Sequence, residues 1–514
     1  MDYGDAESGS FGSRDSFDKP AADDKSQKPR EPEGVTVFTV AGADERGHHD
    51  GPAMEARFNS LSGLTGMPDG SLIVSDAYCI KRIFGGSVKT LAGSDVYGFR
   101  DARRGDTALF DTPCGVVYDA KTGRLIVADR ENNRLRAVTT SGAVYTVAGS
   151  GELGDADGLG KEATFASPFG LAAGVGGQIF VSDFYGARIR VLKPPEGEKE
   201  RYGHVVTLAG KPPREPRRPN SFGVPGYRDG HAHDAQFYCP AGMAVGPNGD
   251  VYVADSMNHR VRRIDHRHAD VSTVVGHIDP PCAYCTGLTH RSHDCYETPA
   301  WTRGDLSRLY EFMTELTSRT EDGAPIKLSK HQIHDEVERG LLSDLEIPRP
   351  VHHVRHKWAT RRKWRKLPKF DDEPGTPVTF VTVKDDPKVI HGPPHHFPFT
   401  APGEKGGDKK DGTLIEALLN TPTDVAFSQD GTLYVADTGN NCIRQIDLST
   451  SMIYTLVGNG KCESVDGIGE SVSFRSPRAL HLDETNHCLY VADAFSVRVV
   501  KLPPSTEASV NDVE

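Results

Sequence analysis

LYVADTGNNCIRQI (433–446) places one short apolar run ending in aspartate before a second, with Thr-Gly-Asn-Asn between them. Valine, isoleucine and tyrosine suit a pleated, half-buried surface, and glycine and asparagine suit the reversal, so the phrase reads as a β-hairpin. It recurs as LIVSDAYCIKRI from Leu72, LIVADRENNRLRAV from Leu125, IFVSDFYGARIRVL from Ile179, VYVADSMNHRVRRI from Val251 and LYVADAFSVRVVKL from Leu489. That makes six copies.

A second phrase, a β-branched alternation closed by glycine, also occurs six times: VFTVAG (37–42), VKTLAG (88–93), VYTVAG (144–149), VVTLAG (205–210), VSTVVG (271–276) and IYTLVG (453–458). Between the copies lies a third element, often Asp-Gly, then Phe, then Pro and Gly, as in DGLGKEATFASPFGLAA from Asp157. Each unit thus supplies four short strands: an inner one after the proline, the VAD strand, the R-x-R strand and the TVAG strand. Four antiparallel strands per repeat of roughly 40–50 residues is the pattern of a β-propeller, whose stacked blades bury faces that one sheet could not. A TVAG strand comes first, at Val37, and the last VAD strand, at Leu489, has none after it. The N-terminal strand is therefore expected to complete the sixth blade, which removes the open sheet edges.

These phrases resemble the NHL repeat family of β-propellers, from about Glu33 to Pro503 apart from a long insertion. VADTGNNCIRQID, VADRENNRLRAV and VADSMNHRVRRID carry the family pattern nearly intact, whereas blades one, three and six depart from it at DAYC, DFYGA and DAFSV. The resemblance implies an all-β, six-bladed ring. It also implies a binding role, because NHL domains often mediate protein interactions and some bind single-stranded RNA on a basic face. Certain NHL-like lyases instead hold a histidine-bound metal in the central channel.

Composition agrees with a turn-rich β protein: 54 glycines and 34 prolines in 514 residues, with 37% hydrophobic residues. A net charge of −12 gives the whole molecule no electrostatic reason to seek nucleic acid or an anionic membrane. No apolar run reaches the roughly 20 residues of a membrane span, and the acidic, Ser/Gly-rich start MDYGDAESGSFGSRDSFDKP has no export-signal core. We read the chain as soluble, monomeric and cytoplasmic, with most of its nine cysteines reduced. Residues 1–34 and 503–514 are expected to be disordered tails.

Asp76, Asp129, Asp183, Asp255, Asp437 and Asp493 hold one position in every unit, where a carboxylate can accept backbone N–H groups of the following turn. Lys81, Arg136, Arg190, Arg262 and Arg444 follow, with Val500 assigned to that place in the last unit. A residue repeated sixfold is a poor catalytic candidate and reads as structural. The inner strands LSGLTG, PCGVVY, PFGLAA, PAGMAV, PTDVAF and PRALHL offer one candidate metal ligand, His481, against the three that a catalytic zinc needs. No serine elbow, phosphate-cradling loop or paired-carboxylate motif appears. No catalytic residue is assigned, and a binding module ranks above an enzyme.

Spacings between successive VAD aspartates run 53, 54, 72, 182 and 56 residues, which locates insertions at 211–230 and at 277–412. Both follow a TVAG strand, so both are expected on the face that carries the NNR-type turns, where loops on a rigid scaffold carry function. The larger opens on CAYCTGLTHRSHDC (282–295). Cys282 and Cys285 have the spacing of half a zinc site, with His290, His293 and Cys295 as further ligands, but the compressed spacing also fits a cysteine-rich loop. Structural zinc is the cofactor this stretch would hold. Its C-x-x-C lacks the βαβ surroundings of a redox motif.

Helices are expected over 302–323 and 331–348, followed by RPVHHVRHKWATRRKWRKLPKF (349–370) and a Pro/Gly-rich linker. Trp358, Arg361, Arg362, Lys363, Trp364, Arg365 and Lys366 make this run either a solvated segment that offsets the acidic propeller or a contact for an anionic partner: protein, RNA or lipid. The leading expectation is a non-enzymatic scaffold that binds a protein partner through the insertion-bearing face; RNA binding through 349–370 and a metal-dependent lyase or hydrolase are the alternatives.

Overall fold

Alternation of β-branched and aromatic residues places one face of each short strand inward, and the computed structural model bears this out as six twisted antiparallel sheets arranged in a ring. The structure describes residues 34–503 except 44, 196–202, 213–222 and 277–408; within the last span only the short strands Thr317–Arg319, Pro325–Lys327 and Val381–Thr382 are described. Thr317–Arg319 is extended where the first insertion helix was expected to end, and the rest of both expected helices lies outside the described residues. Among the described residues, no helix is long and apolar enough to cross a membrane.

Blade one shows the unit: inner strand Leu61–Gly66, then Leu72–Asp76, Cys79–Phe84 and Ser87–Gly93, with Gly51–Pro52 pairing outside the last. That outermost pair, read in the sequence only as an Asp-Gly punctuation, is a fifth short strand in five of the six sheets. The ring closes as expected. Thr36–Ala41 pairs with Ser496–Lys501 on one side and Gly467–Ile468 on the other, so the start of the chain completes blade six.

The core follows from this geometry. Six apolar clusters occupy the six seams between adjacent blades; one joins Ala41, Phe58, Leu61 and Val74 to Ala479, Ala492 and Val497 across the closure. Each blade buries its two faces only against neighbours, so the ring stabilises as a whole. The TVAG glycines have φ between +93° and +133°, and a Cβ at Gly93 would sit 2.4 Å from the Tyr78 carbonyl oxygen. Glycine is required there because the outer strand bends against the neighbouring turn.

Candidate functional site

The VAD aspartates are buried, and their bonding differs from the expected pattern. Oδ1 accepts backbone N–H groups of the segment entering the inner strand, not of the following turn: Asp111 to Asp129 at 2.8 Å, Ala166 to Asp183 at 2.6 Å, Tyr238 to Asp255 at 2.8 Å and Asn420 to Asp437 at 2.7 Å. The following turn is reached through side chains, as when Asn132 Nδ2 donates to Asp129 Oδ2. Oδ2 faces the arginine of the third strand. Arg136, Arg190, Arg262 and Arg444 donate to it over 2.5–3.2 Å, and all four guanidinium groups are fully buried.

The aspartate of the Asp-Gly element completes the arrangement. Asp101, Asp157, Asp229 and Asp411 accept from the other side of the same guanidinium at 2.5–2.8 Å, and from the N–H of the threonine in the TVAG strand at 3.0–3.1 Å. Phe110, Phe165 and Phe237 lie 5.0–5.4 Å beneath the arginines. One arginine thus ties four strands of its blade together. Burial still dominates the carboxyls, pushing Asp129 up to about 6 and Asp183 to about 7 against the opposing pull of Arg136 and Arg190. These charges are committed to the fold and are unavailable to a ligand.

In blade six the clamp residue is Arg498, not Val500: it donates to Asp493 Oδ2 at 3.4 Å and to Asp466 at 2.7 Å. The turns at Ala77–Tyr78 and Ala494–Phe495 are two residues long, against four in the other blades, so the clamp position falls five residues after the aspartate and not seven. Blade one keeps the register but carries Lys81, whose Nζ reaches Asp50 at 2.9 Å and stops 4.0 Å from Asp76.

The axis is nearly filled. A void of about 70 Å³ is lined by Gly63, Gly115, Gly170, Gly242 and Asp424 among others. A Cβ at Gly170 would lie 2.2 Å from the Ala241 carbonyl oxygen, so the glycines let the inner strands meet. Asp424 stands where four blades have glycine. Its carboxylate accepts the N–H groups of Val425 and Leu480 at 2.9 and 2.8 Å, and burial raises it to about 7. The sequence marks this exception as PTD against PCG, PFG and PAG.

On the face of the first-to-second-strand turns the axis widens into a funnel of about 990 Å³, lined by Met67, Tyr118, Phe427, His481, Glu484 and Tyr490 among others. His481 lies against Gly66 and 6.3 Å from Tyr490, and burial lowers its pKa. Among the described residues it joins no cluster of metal-ligating side chains. Two such clusters exist elsewhere. Asp250, Asp265 and His266 are saturated by hydrogen bonds from Asn248, Arg263, Arg267 and one another. His48, Asp76 and Cys79 in blade one form the other.

Because strands alternate in direction, the second-to-third-strand turns and the connections between blades share the opposite face, from which both insertions leave after His204–Ala209 and Asp270–Val275. The departures DAYC, DFYGA and DAFSV prove to be aromatic side chains on this face. Tyr78 packs 5.7 Å from Tyr97; Phe184 contacts Phe169 and Tyr185; Phe495 receives Arg475. Arg130 sits over Phe169, Phe184 and Tyr185 at 5.6–5.9 Å. Val96, Phe99 and Val465, in the connections between blades, are 54%, 45% and 42% exposed. The Cys282–Cys295 stretch and the basic run with Trp358 and Trp364 lie outside the described residues. Cys79, Cys114, Cys239, Cys442, Cys462 and Cys488 are all free thiols.

The NHL repeat family model matches residues 110–138, 237–264 and 419–446, the blades that carry the phrase nearly intact. The chain is 30% identical over 178 residues to Protein SUPPRESSOR OF QUENCHING 1, chloroplastic, of Arabidopsis thaliana, covering 33% of this chain and 15% of that protein. It is 23% identical over 291 residues to human NHL repeat-containing protein 2, covering 55% of this chain and 33% of that one. A Bacteroides thetaiotaomicron structural genomics protein of unknown function superposes with a TM-score of 0.49 at 10% identity, covering 91% of this chain and 76% of that one. The chain thus spans a third or less of the length of these two curated relatives.

Proposed function

Starting from a chain that is a six-bladed β-propeller of NHL repeats, we propose that it is a scaffold that binds a protein partner through the insertion-bearing face. The observation that carries this reading is the placement of the aromatic side chains. Tyr78, Tyr185 and Phe495 occupy the turns where the repeat pattern breaks, and Phe99 and Val96 are exposed on the connection between blades one and two, on the same face. Tyrosine and phenylalanine give large contact areas at low entropic cost and are enriched in the buried centres of interfaces. The repeat charges of blades two to six, by contrast, close on one another within each blade and supply rigidity rather than recognition.

Affinity capture of partners with the full chain tests the reading when the parent is compared with a Phe99→Ala, Tyr185→Ala, Phe495→Ala variant and with Tyr118→Ala on the opposite face. A partner held by the parent and by Tyr118→Ala, and weakened at least about 30-fold by the triple variant, is expected for anchor residues at an interface. Retention by the triple variant would remove this face from the function.

A further inference from the structure

In five blades the oxygen Oδ2 of the VAD aspartate receives a guanidinium N–H. In blade one it receives nothing from the described residues. Asp76 is fully buried, Lys81 ends 4.0 Å short of it, and Oδ2 is left without a hydrogen bond. A buried carboxylate oxygen without a partner is costly, so this position calls for a cation or donor that the chain itself does not bring close enough. Two neighbouring residues complete the arrangement, and the histidine is particular to this blade. Cys79, at the place held by Arg134, Arg188 and Arg260 in blades two to four and by Cys442 in blade five, is buried, and its Sγ lies 3.8 Å from Nδ1 of His48. The place of His48, two residues before the Asp-Gly aspartate, is held by Phe99 and Tyr227 in blades two and four, where the ring covers the clamp arginine.

We propose that His48, Asp76 and Cys79 form a binding site for a divalent, borderline-soft transition metal of the zinc type. One ligand atom from each residue lies within 4.8 Å of the others. A tetrahedral zinc with bonds of about 2.0–2.3 Å needs ligand atoms roughly 3.4–3.8 Å apart, so the His48–Cys79 pair is already in place and rotation of side-chain torsions closes the rest. Thiolate, imidazole and carboxylate together select such an ion over magnesium or calcium. Charge also balances. With the thiol proton released to solvent, Asp50, Asp76 and Cys79 contribute three negative charges against Lys81 and the ion, and Lys81 is turned away onto Asp50 at 2.9 Å. Of the other charges nearby, Arg46 works against the ion and Asp95 works for it. His48 is exposed, which gives solvent access, and three protein ligands leave a fourth position for water or an exogenous ligand.

Cobalt(II) titration of the full chain carrying C282S, C285S and C295S, which removes the thiolates of the insertion, tests the site. The expected result is a thiolate-to-cobalt charge-transfer band that saturates at a single equivalent and is displaced by zinc. The band is expected to vanish in Cys79→Ser. It should vanish also in Lys81→Arg, which supplies the missing guanidinium and rebuilds in blade one the clamp of the other five; this variant should keep or raise the thermal transition. No band in the parent, or a band unchanged by Lys81→Arg or Cys79→Ser, overturns the proposal.

Discussion

Arg498 meets Asp493 at 3.4 Å although five residues separate them, whereas Arg136 meets Asp129 at 2.5 Å across seven. The turn absorbs the difference and the clamp is kept, so the geometry of the buried pair, not its sequence spacing, is what the fold maintains. Replacing Arg498 by alanine takes the guanidinium from two carboxylates, Asp493 and Asp466, and removes the second donor of the Ser473 and Val465 carbonyls, which keep only each other's backbone N–H. Removing one partner of a buried ion pair costs about 3–5 kcal/mol. Chemical denaturation of Arg498→Ala should show a loss of that size, with a smaller loss for Arg498→Lys.

Closure makes a separate claim. Val37 is buried in the seam between blades five and six, and its strand supplies the outer wall of the last sheet. Val37→Asp puts an unpaired carboxylate there, at a cost of several kcal/mol. The expected readout is a lowered transition temperature for the whole ring, measured by circular dichroism. A transition unchanged from the parent would show that the terminal strand contributes little.

Asp424 gives a pH signature. Its folded pKa of about 7 lies above the ordinary carboxylate value, so the native state keeps a proton that the unfolded state has lost. Its contribution is present in full below about pH 4 and disappears as pH rises toward 7, a total of about 4 kcal/mol at 1.36 kcal/mol per unit. Asp424→Asn lacks this dependence. The stability of the variant relative to the parent should therefore climb between pH 4 and 7 and level off above, whatever constant offset the lost N–H bond introduces. A flat difference would mean that the axial carboxyl is ionised throughout.

The fold was legible because propeller blades repeat: six copies of LYVAD-type and TVAG-type phrases fix strand number, order and closure through local periodicity alone. The clamp was half legible. Asp129 and Arg136 share a phrase, but Asp101 belongs to a separate element 35 residues before Arg136 and joins them only through sheet pairing. Arg498 stands five residues after Asp493, the spacing of Lys81 after Asp76, whereas Val500 holds the seven-residue spacing of the other four blades; turn length decides between them. The aromatic face was hidden for a related reason: Tyr78, Tyr185 and Phe495 look like damage to a motif until the strand directions show that they emerge together. His48 and Cys79 stand 31 residues apart and carry no motif at all.

The central claim, recognition through the insertion-bearing face, is tested most directly by site-specific photo-crosslinking in cells. A photoreactive phenylalanine analogue is placed at Phe99, Tyr185 or Phe495, and separately at Tyr118 or Tyr490 on the opposite face. The account predicts that one protein is crosslinked from each of the first three positions and from neither of the last two. Crosslinks to a partner from Tyr118 and Tyr490, with none from Phe99, Tyr185 or Phe495, would contradict it.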